Sequence, residues 1–326
     1  MILITGAAGF IGSVIAAELN RRGRQDLILC DELDTSDKWK NLLGLHFREF
    51  VDWRKLKDKL RQDSWVQPIT AVIHMGAITD TTERNAELLF EQNTRFSQKL
   101  CQACIARGMQ FIYASSAAVY GDGTLGFSDA DALTPRLNPL NAYGFSKWLF
   151  DMWVLENGYA DKVAGLRFFN VFGPNEYHKG NMASVVYRAF PLAASEGRVR
   201  LFESYRPDVK HGEQARDFIH VEEALAVVMY MLEHRDIHGI YNVGTGRAHT
   251  FNQLAQAMFK GLGRNGKVEY FPMPEELRDR YQYHTAADMT RLYATGFPPF
   301  PDRFDKYVGD YAANYLAKGY RRYQDA

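Results

Sequence analysis

Residues 2–12 read ILITGAAGFIG. Ile2 to Thr5 is a short apolar run bounded by glycine, which predicts a buried parallel strand, and Ile11 to Arg22 has the apolar spacing of a following helix. Between them lie Gly6, Gly9 and Gly12. The first permits a tight turn, the second lets the backbone approach a pyrophosphate at the helix N-terminus, and the third lets helix and strand touch. The spacing is G-x-x-G-x-x-G instead of the more familiar G-x-G-x-x-G, and a glycine-rich turn after any strand looks similar. Its position directly between a strand and a helix makes dinucleotide binding the favoured reading, with Phe10 and Ile11 beside the glycines as cofactor-facing residues.

The strand–helix alternation continues along the chain. Ala71 to Met75, Phe111 to Ser115, Val163 to Phe169 and Ile240 to Val243 are apolar or β-branched runs separated by helix-length periods. This order predicts an α/β fold, a doubly wound parallel sheet of Rossmann type. After about Phe172 the regular alternation is lost and prolines, tyrosines and charges thicken, so a second, smaller substrate-covering region is expected to begin there. IYNVGTG at 240–246 looks like a returning sheet strand. The expected division is therefore interleaved, with residues 1–170 and 217–245 binding the dinucleotide and 171–216 and 246–326 binding substrate.

The second strand bears on the cofactor. Leu27 to Cys30 is apolar and runs into Asp31 and Glu32, about 25 residues beyond Gly6, where an acidic side chain meets the adenosine ribose. A carboxylate there favours NAD, because it repels a 2′-phosphate. Lys38, with Arg54 and Lys55 further on, offers charge to neutralise such a phosphate; the plainer reading of Arg54 and Lys55 is solvated loop charge. The expectation leans to NADP, with NAD open.

Composition narrows the class. The chain has 326 residues, 46% of them hydrophobic, enough for one large core or two modest ones. Lys plus Arg and Asp plus Glu each number 39, so there is no net charge and no basic stripe for a nucleic-acid backbone. No apolar run approaches the roughly 18 residues that span a bilayer, and Met1 leads straight into a strand, so no membrane association and a cytoplasmic location are expected. Three cysteines are too few for a disulfide framework; Cys101 and Cys104 fall in a helical pattern as core thiols. No His, Asp, Glu or Cys spacing suggests a metal site.

Ligands of such sheets bind beyond the carboxyl ends of the strands. Met75, Gly76, Ala77 and Ile78 follow one strand and can line the nicotinamide side, and Asn93 in EQNTRFS can brace the neighbouring strand from mid-helix. Ser115 and Ser116 follow the next strand, where a hydroxyl can share the developing charge of a reacting alcohol or merely satisfy a strand end. AYGFSK at 142–147 places Tyr143 and Lys147 one helical turn apart, and an ammonium that close is expected to lower the phenol's pKa from about 10.

With RDFIHV at 216–221, these motifs resemble the extended short-chain dehydrogenase/reductase family that acts on nucleotide sugars, over essentially the whole chain. The resemblance implies Tyr143 as catalytic acid or base, Lys147 on the nicotinamide ribose, Ser116 orienting the substrate, and Arg216 on the substrate diphosphate, with Asp217 structural. HKGNMASV at 178–185, MGAITDTTE at 75–83, LFE at 201–203 and RDRYQ at 278–282 look like the branch that epimerises ADP-linked heptoses at C6″. That branch implies substrate contacts from Asn170, Asn181, Arg188, Phe202, Glu203 and Tyr281, and cofactor contacts from Val171 and Lys179. Asn181 stands where serine is expected, Arg188 where histidine is usual, and the segment before Arg216 is longer, departures that touch substrate fit.

The implied chemistry removes the hydroxyl proton at C6″, passes hydride to NADP⁺ to give a 6″-ketone, and returns hydride to the opposite face. Rotation that exposes the second face carries the oxygen away from Tyr143, so a second proton donor is needed, and Lys179 is the candidate; its other reading is a phosphate-binding or surface lysine. His178 is read as steering its loop and His220 as buried packing. The resemblance further implies a homo-oligomer, a pentamer, and a role in heptose supply for the lipopolysaccharide core. Two other functions remain: a nucleotide-sugar 4-epimerase, which needs no Lys179, and a catalytically silent dinucleotide sensor. A 4,6-dehydratase is disfavoured, because Ala117 and Ala118 stand where it carries carboxylates.

Overall fold

The computed structural model describes residues 1–278 and 281–326. The strands are β1 (Ile2–Thr5), β2 (Leu27–Asp31), β3 (Glu49–Asp52), β4 (Ala71–His74), β5 (Gln110–Ser116), β6 (Ala164–Phe168) and β7 (Asn170–Phe172). They continue as β8 (Arg198–Phe202), β9 (Ala215–Arg216), β10 (Phe218–His220), β11 (Gly239–Val243), β12 (His249–Thr250) and β13 (Lys267–Phe271). Seven of them form one parallel sheet in the order β11-β6-β5-β4-β1-β2-β3. The order reverses beside β1, which places a ligand crevice at the carboxyl ends of β1 and β4.

β1 shows why the apolar run is a central strand. Ile2 and Ile4 enter the core on one face, with Val14 and Ile15 of the helix α1 (Phe10–Arg21) and with Ala224 and Val228 of the helix Val221–Glu233. Leu3 enters the core on the other, with Leu100, Cys104 and Phe150. Thr5 aligns with Cys30 of β2 and with His74 of β4, so all three strands end level at the crevice. Cys30, Cys101 and Cys104 are buried and unpaired, as core thiols.

The sequence runs miss β3, a four-residue edge strand whose carboxylates Glu49 and Asp52 hide its apolar pair. The run Val163 to Phe169 covers β6 and stops short of β7. The chain leaves the main sheet at Phe169, and β7 pairs in parallel with β10, bringing the strand that leads toward the Lys179 segment beside RDFIHV. A third core fills the region beyond, where Val186, Phe190, Val199, Leu201, Leu254, Met258 and Val308 meet. Regular structure persists there despite the lost alternation, in helices Val185–Glu196 and Phe251–Gly261 and in the pair β8–β13. Among the described residues no helix is long and apolar enough to cross a membrane.

Candidate active site

The glycine turn is built by close backbone contact. Gly6 has φ 65°, and a Cβ there would lie 2.6 Å from the Gly76 nitrogen; one on Gly12 would lie 2.1 Å from the Gly6 carbonyl. The turn therefore locks β1, α1 and the segment after β4 together. α1 begins at Gly9 with no side-chain cap and no acidic residue in its first turn, so the N–H groups of Phe10, Ile11 and Gly12 are left for an anion. That is the donor set a dinucleotide pyrophosphate requires, and the residues present fit the cofactor.

At the end of β2, Asp31 accepts the Ala8 N–H at 2.8 Å and the Glu32 N–H at 2.7 Å. Lys38 lies between Asp31, at 3.3 Å, and Asp34, at 3.0 Å. Glu32 accepts from the Trp53 indole at 3.2 Å and pairs with Arg54, which also binds Asp52. On the opposite side of the crevice, Met75, Gly76, Ala77 and Ile78 are half-buried. Asn93 is buried; it accepts the Ile78 N–H at 2.9 Å and donates to the Ile78 carbonyl and to Ser146 Oγ, both at 3.0 Å. It braces the loop after β4 rather than the strand itself, and ties it to the Tyr143 helix.

That helix, Ala142–Glu156, is capped by Asn141, whose side chain accepts the Gly144 N–H at 2.8 Å. A Cβ on Gly144 would lie 2.7 Å from the Ala118 carbonyl, so glycine lets the helix start against the turn after Ser116. Asp151, two turns on, forms a fully buried pair with Arg167 at 2.9 Å and accepts from Tyr113 at 3.0 Å and Ser115 at 2.9 Å. Breaking such a pair costs about 3–5 kcal/mol. Ser115 is thus a structural strand-end hydroxyl, whereas Ser116 accepts the Ala118 N–H and acts on the Tyr143 phenol to lower its pKa.

One expectation is corrected here. Burial raises the Tyr143 phenol above its ordinary value, and Ser116 only partly offsets this. Lys147 is not the controlling charge: its Nζ donates to the Ala114 carbonyl at 2.8 Å, and burial lowers its own pKa to about 8. A helical i,i+4 spacing brings two side chains near one another without setting where the ammonium points.

Lys179 lies in the turn Tyr177–Met182, its Nζ 5.8 Å from the centre of the Phe10 ring at the head of the glycine turn. Burial lowers its pKa, opposed by Glu176. Thr81 donates to Met182 Sδ at 3.6 Å, joining the MGAITDTTE and HKGNMASV segments across the crevice. His178 approaches Asn41 at 3.4 Å, and burial drops its pKa to about 4, so it steers its loop as a neutral ring. His220 is buried, stacks on Tyr307 and caps the helix Val221–Glu233, a structural role.

The substrate-side residues divide. Arg216 is buried against the faces of Tyr281 (4.9 Å) and Phe251 (5.8 Å), donates to the Ala215 carbonyl, and has no carboxylate partner among the described residues. Tyr281 packs on Phe202 at 6.2 Å and also feels Arg188, so Arg188, Phe202, Arg216 and Tyr281 gather in one place. Glu203 follows, half-buried, at the end of β8. Val171 is half-buried in β7, and the side chains of Asn170 and Asn181 are exposed. Asp279 and Arg280 of RDRYQ lie outside the described residues. Asp217 is structural: it accepts the N–H groups of Thr245, Gly246 and Ala287.

Sequence reading missed Asn41 and Asn175. The Asn41 amide donates to the carbonyls of Ala8 and Asn175, both at 3.0 Å. Asn175, fully buried with φ 78°, donates to Ser13 Oγ at 3.0 Å. An asparagine straight after Gly173–Pro174 is the available signal, since asparagine tolerates the left-handed region.

A doubly wound sheet with a glycine turn at its switch point, and Ser116, Tyr143 and Lys147 at its carboxyl edge, is the architecture of a nicotinamide-dinucleotide-dependent enzyme. The sequence model of the NAD dependent epimerase/dehydratase family matches residues 2–244, and the chain belongs to that family. It is similar to the ADP-L-glycero-D-manno-heptose-6-epimerase of Nitratidesulfovibrio vulgaris, 46% identical over 317 residues, which cover 97% of this chain and 98% of that protein. The crystal structure of the Helicobacter pylori ADP-L-glycero-D-manno-heptose-6-epimerase superposes with a TM-score of 0.78 at 29% identity, covering 96% of this chain and 95% of that one. A Thermus thermophilus UDP-glucose 4-epimerase in complex with NAD superposes with a TM-score of 0.73 at 26% identity, covering 95% and 98%.

Proposed function

We propose that this chain inverts C6″ of ADP-D-glycero-β-D-manno-heptose to give ADP-L-glycero-β-D-manno-heptose, through a transient 6″-ketone. The observation that carries this reading is the placement of Lys179, a second amine of lowered basicity at the head of the cofactor crevice, in addition to Ser116, Tyr143 and Lys147. The names of the similar heptose epimerases support it.

The nicotinamide, when bound, supplies a reversible two-electron oxidation of the C6″ alcohol. Tyr143 exchanges the proton of the hydroxyl in one orientation, with Ser116 holding the oxygen. Lys147 holds the nicotinamide ribose, and its charge favours the phenolate once it leaves the Ala114 carbonyl. Lys179 exchanges the proton after the C5″–C6″ bond rotates. Arg216, whose charge among the described residues is met by aromatic faces and a carbonyl, takes the diphosphate; Tyr281, Phe202, Glu203, Arg188, Asn170 and Asn181 line the rest of the substrate site.

The dinucleotide is proposed to be NADP, with Lys38 turning from Asp31 and Asp34 to its 2′-phosphate. Residues 1–170 and 217–245 form the cofactor-binding part, and 171–216 and 246–326 the substrate-binding part. A homo-oligomer in the cytoplasm, supplying heptose for the lipopolysaccharide core, completes the proposal. The test is incubation with ADP-D-glycero-β-D-manno-heptose and NMR assignment of the C6″ configuration. Conversion to the L-glycero epimer without net dinucleotide reduction is expected; unchanged configuration overturns the reading.

A further inference from the structure

The last six residues of the sequence bind two loops that face the cofactor crevice. Arg322 donates to the carbonyls of Lys40 at 2.9 Å and Leu43 at 3.0 Å. Gln324 donates from Nε2 to the carbonyls of Asn41 at 2.9 Å and Leu43 at 3.1 Å. These carbonyls belong to the turn Asp37–Leu42 and the residue after it, the segment that carries Lys38. Asp325 holds the Arg322 guanidinium from the other side at 2.7 Å. The same six residues also grip the Lys179 loop. Gln324 Oε1 accepts from Asn175 at 3.2 Å, the Tyr323 N–H donates to Asn175 Oδ1 at 2.9 Å, and Tyr177 donates to the Arg321 carbonyl.

Asn41 and Asn175 complete the circuit. The Asn41 amide bridges the Ala8 carbonyl of the glycine turn to the Asn175 carbonyl, and Asn175 reaches Ser13 in α1. Asn175 sits in the left-handed region, a conformation that a non-glycine residue keeps only where its surroundings over-determine it. Its side chain here has three partners, one in α1 and two in the tail. None of these residues lies in the gathered Ser116–Tyr143–Lys147 group or beside Arg216.

We propose that residues 321–326 are a clasp that fixes the Lys38 loop and the Lys179 loop against the glycine turn, and that Arg322 and Gln324 are positioning residues for dinucleotide binding. The inference rests on the proposed NADP reading, because Lys38 discriminates between dinucleotides only through a 2′-phosphate. On the Lys38 side the clasp acts through backbone carbonyls. It sets where the Lys38 turn stands without itself touching the cofactor.

Gln324→Glu separates the two links. It keeps an acceptor for Asn175 and removes the donor that holds Asn41 and Leu43. Titration of NADP⁺ and NAD⁺ into the full chain by calorimetry is expected to show the NADP⁺ Kd rising about tenfold in Gln324→Glu, with a smaller change for NAD⁺. Arg322→Ala, which releases Lys40 and Leu43, is expected to do the same and serves if the first variant does not fold. Equal affinities in parent and variants, or the same loss for both dinucleotides, overturn the clasp while leaving the cofactor reading intact. A parent that binds neither dinucleotide, or NAD⁺ alone, refutes the NADP reading and the clasp with it.

Discussion

Lys147 Nζ donates to the carbonyl of Ala114, 2.8 Å away, two residues before Ser116 on the same strand. The bond ties the Tyr143 helix to β5 and holds the ammonium in a buried place, where desolvation lowers its pKa to about 8 against a weaker opposing pull from Asp151. The folded state therefore binds this proton less tightly than the unfolded chain. The stability penalty is fully present below about pH 8 and is relieved as pH rises toward the ordinary 10.5. For activity the sign is opposite, since the charge is lost above about pH 8. The kcat/KM profile should show an alkaline limb near pH 8, and Lys147→Arg, whose guanidinium stays charged, should lack that limb at a lower overall rate. A limb unmoved in Lys147→Arg would assign it to another group.

Lys179→Met removes the second proton donor and leaves the glycine turn intact. Epimerisation should fall by roughly 10²–10⁴-fold, with dinucleotide affinity changed by no more than about threefold. Tyr143→Phe should behave alike. Stereochemical analysis of the heptose product reads both, and full epimerisation by Lys179→Met would shift the assignment to a 4-epimerase-like chemistry that does without it.

Arg216 is a buried cation facing Tyr281 and Phe251. Arg216→Leu keeps the packing and removes the charge. The KM for the sugar nucleotide should rise on the order of 10–100-fold, since a charge-assisted contact to a phosphate is worth about 1.5–3 kcal/mol. Dinucleotide affinity should be unchanged. A rise in KM for substrate with no such loss of affinity for ADP alone would move Arg216 to the sugar end.

Glu223, buried behind β10, has its pKa raised to about 7, first by burial and then by Asp217; the His220 N–H and the guanidinium groups of Arg303 and Arg247 oppose this. The folded state holds this proton where the unfolded chain has released it, so stability falls as pH rises from about 4.5 to about 7. Glu223→Gln keeps an oxygen for the His220 N–H and abolishes the titration. Thermal melts at about pH 5 and about pH 8 should differ less in the variant, by roughly 2–4 °C for each kcal/mol removed. Parallel curves for the two proteins would show that Glu223 titrates normally.

The amino-acid sequence by itself determined the parts that depend on local pattern. Ile2–Thr5, the three glycines and the helix after them were legible because strand burial, a positive φ and close backbone contact each demand a residue type at a fixed spacing. The parallel sheet and the Tyr143–Lys147 spacing followed in the same way, and the RDFIHV and HKGNMASV segments carried the resemblance on which the proposed substrate site rests. What only the tertiary structure decided depends on contacts between distant residues. Burial sets the sign of the Tyr143 and Lys147 shifts, and burial is a sum over neighbours that spacing along one helix does not contain. Lys38 reads as a free cation in sequence and is found between Asp31 and Asp34. Asn41 and Gln324 carry no motif and Asn175 only the turn signal of Gly173–Pro174 before it, because hydrogen bonds joining loops more than a hundred residues apart appear only once the chain has closed on itself.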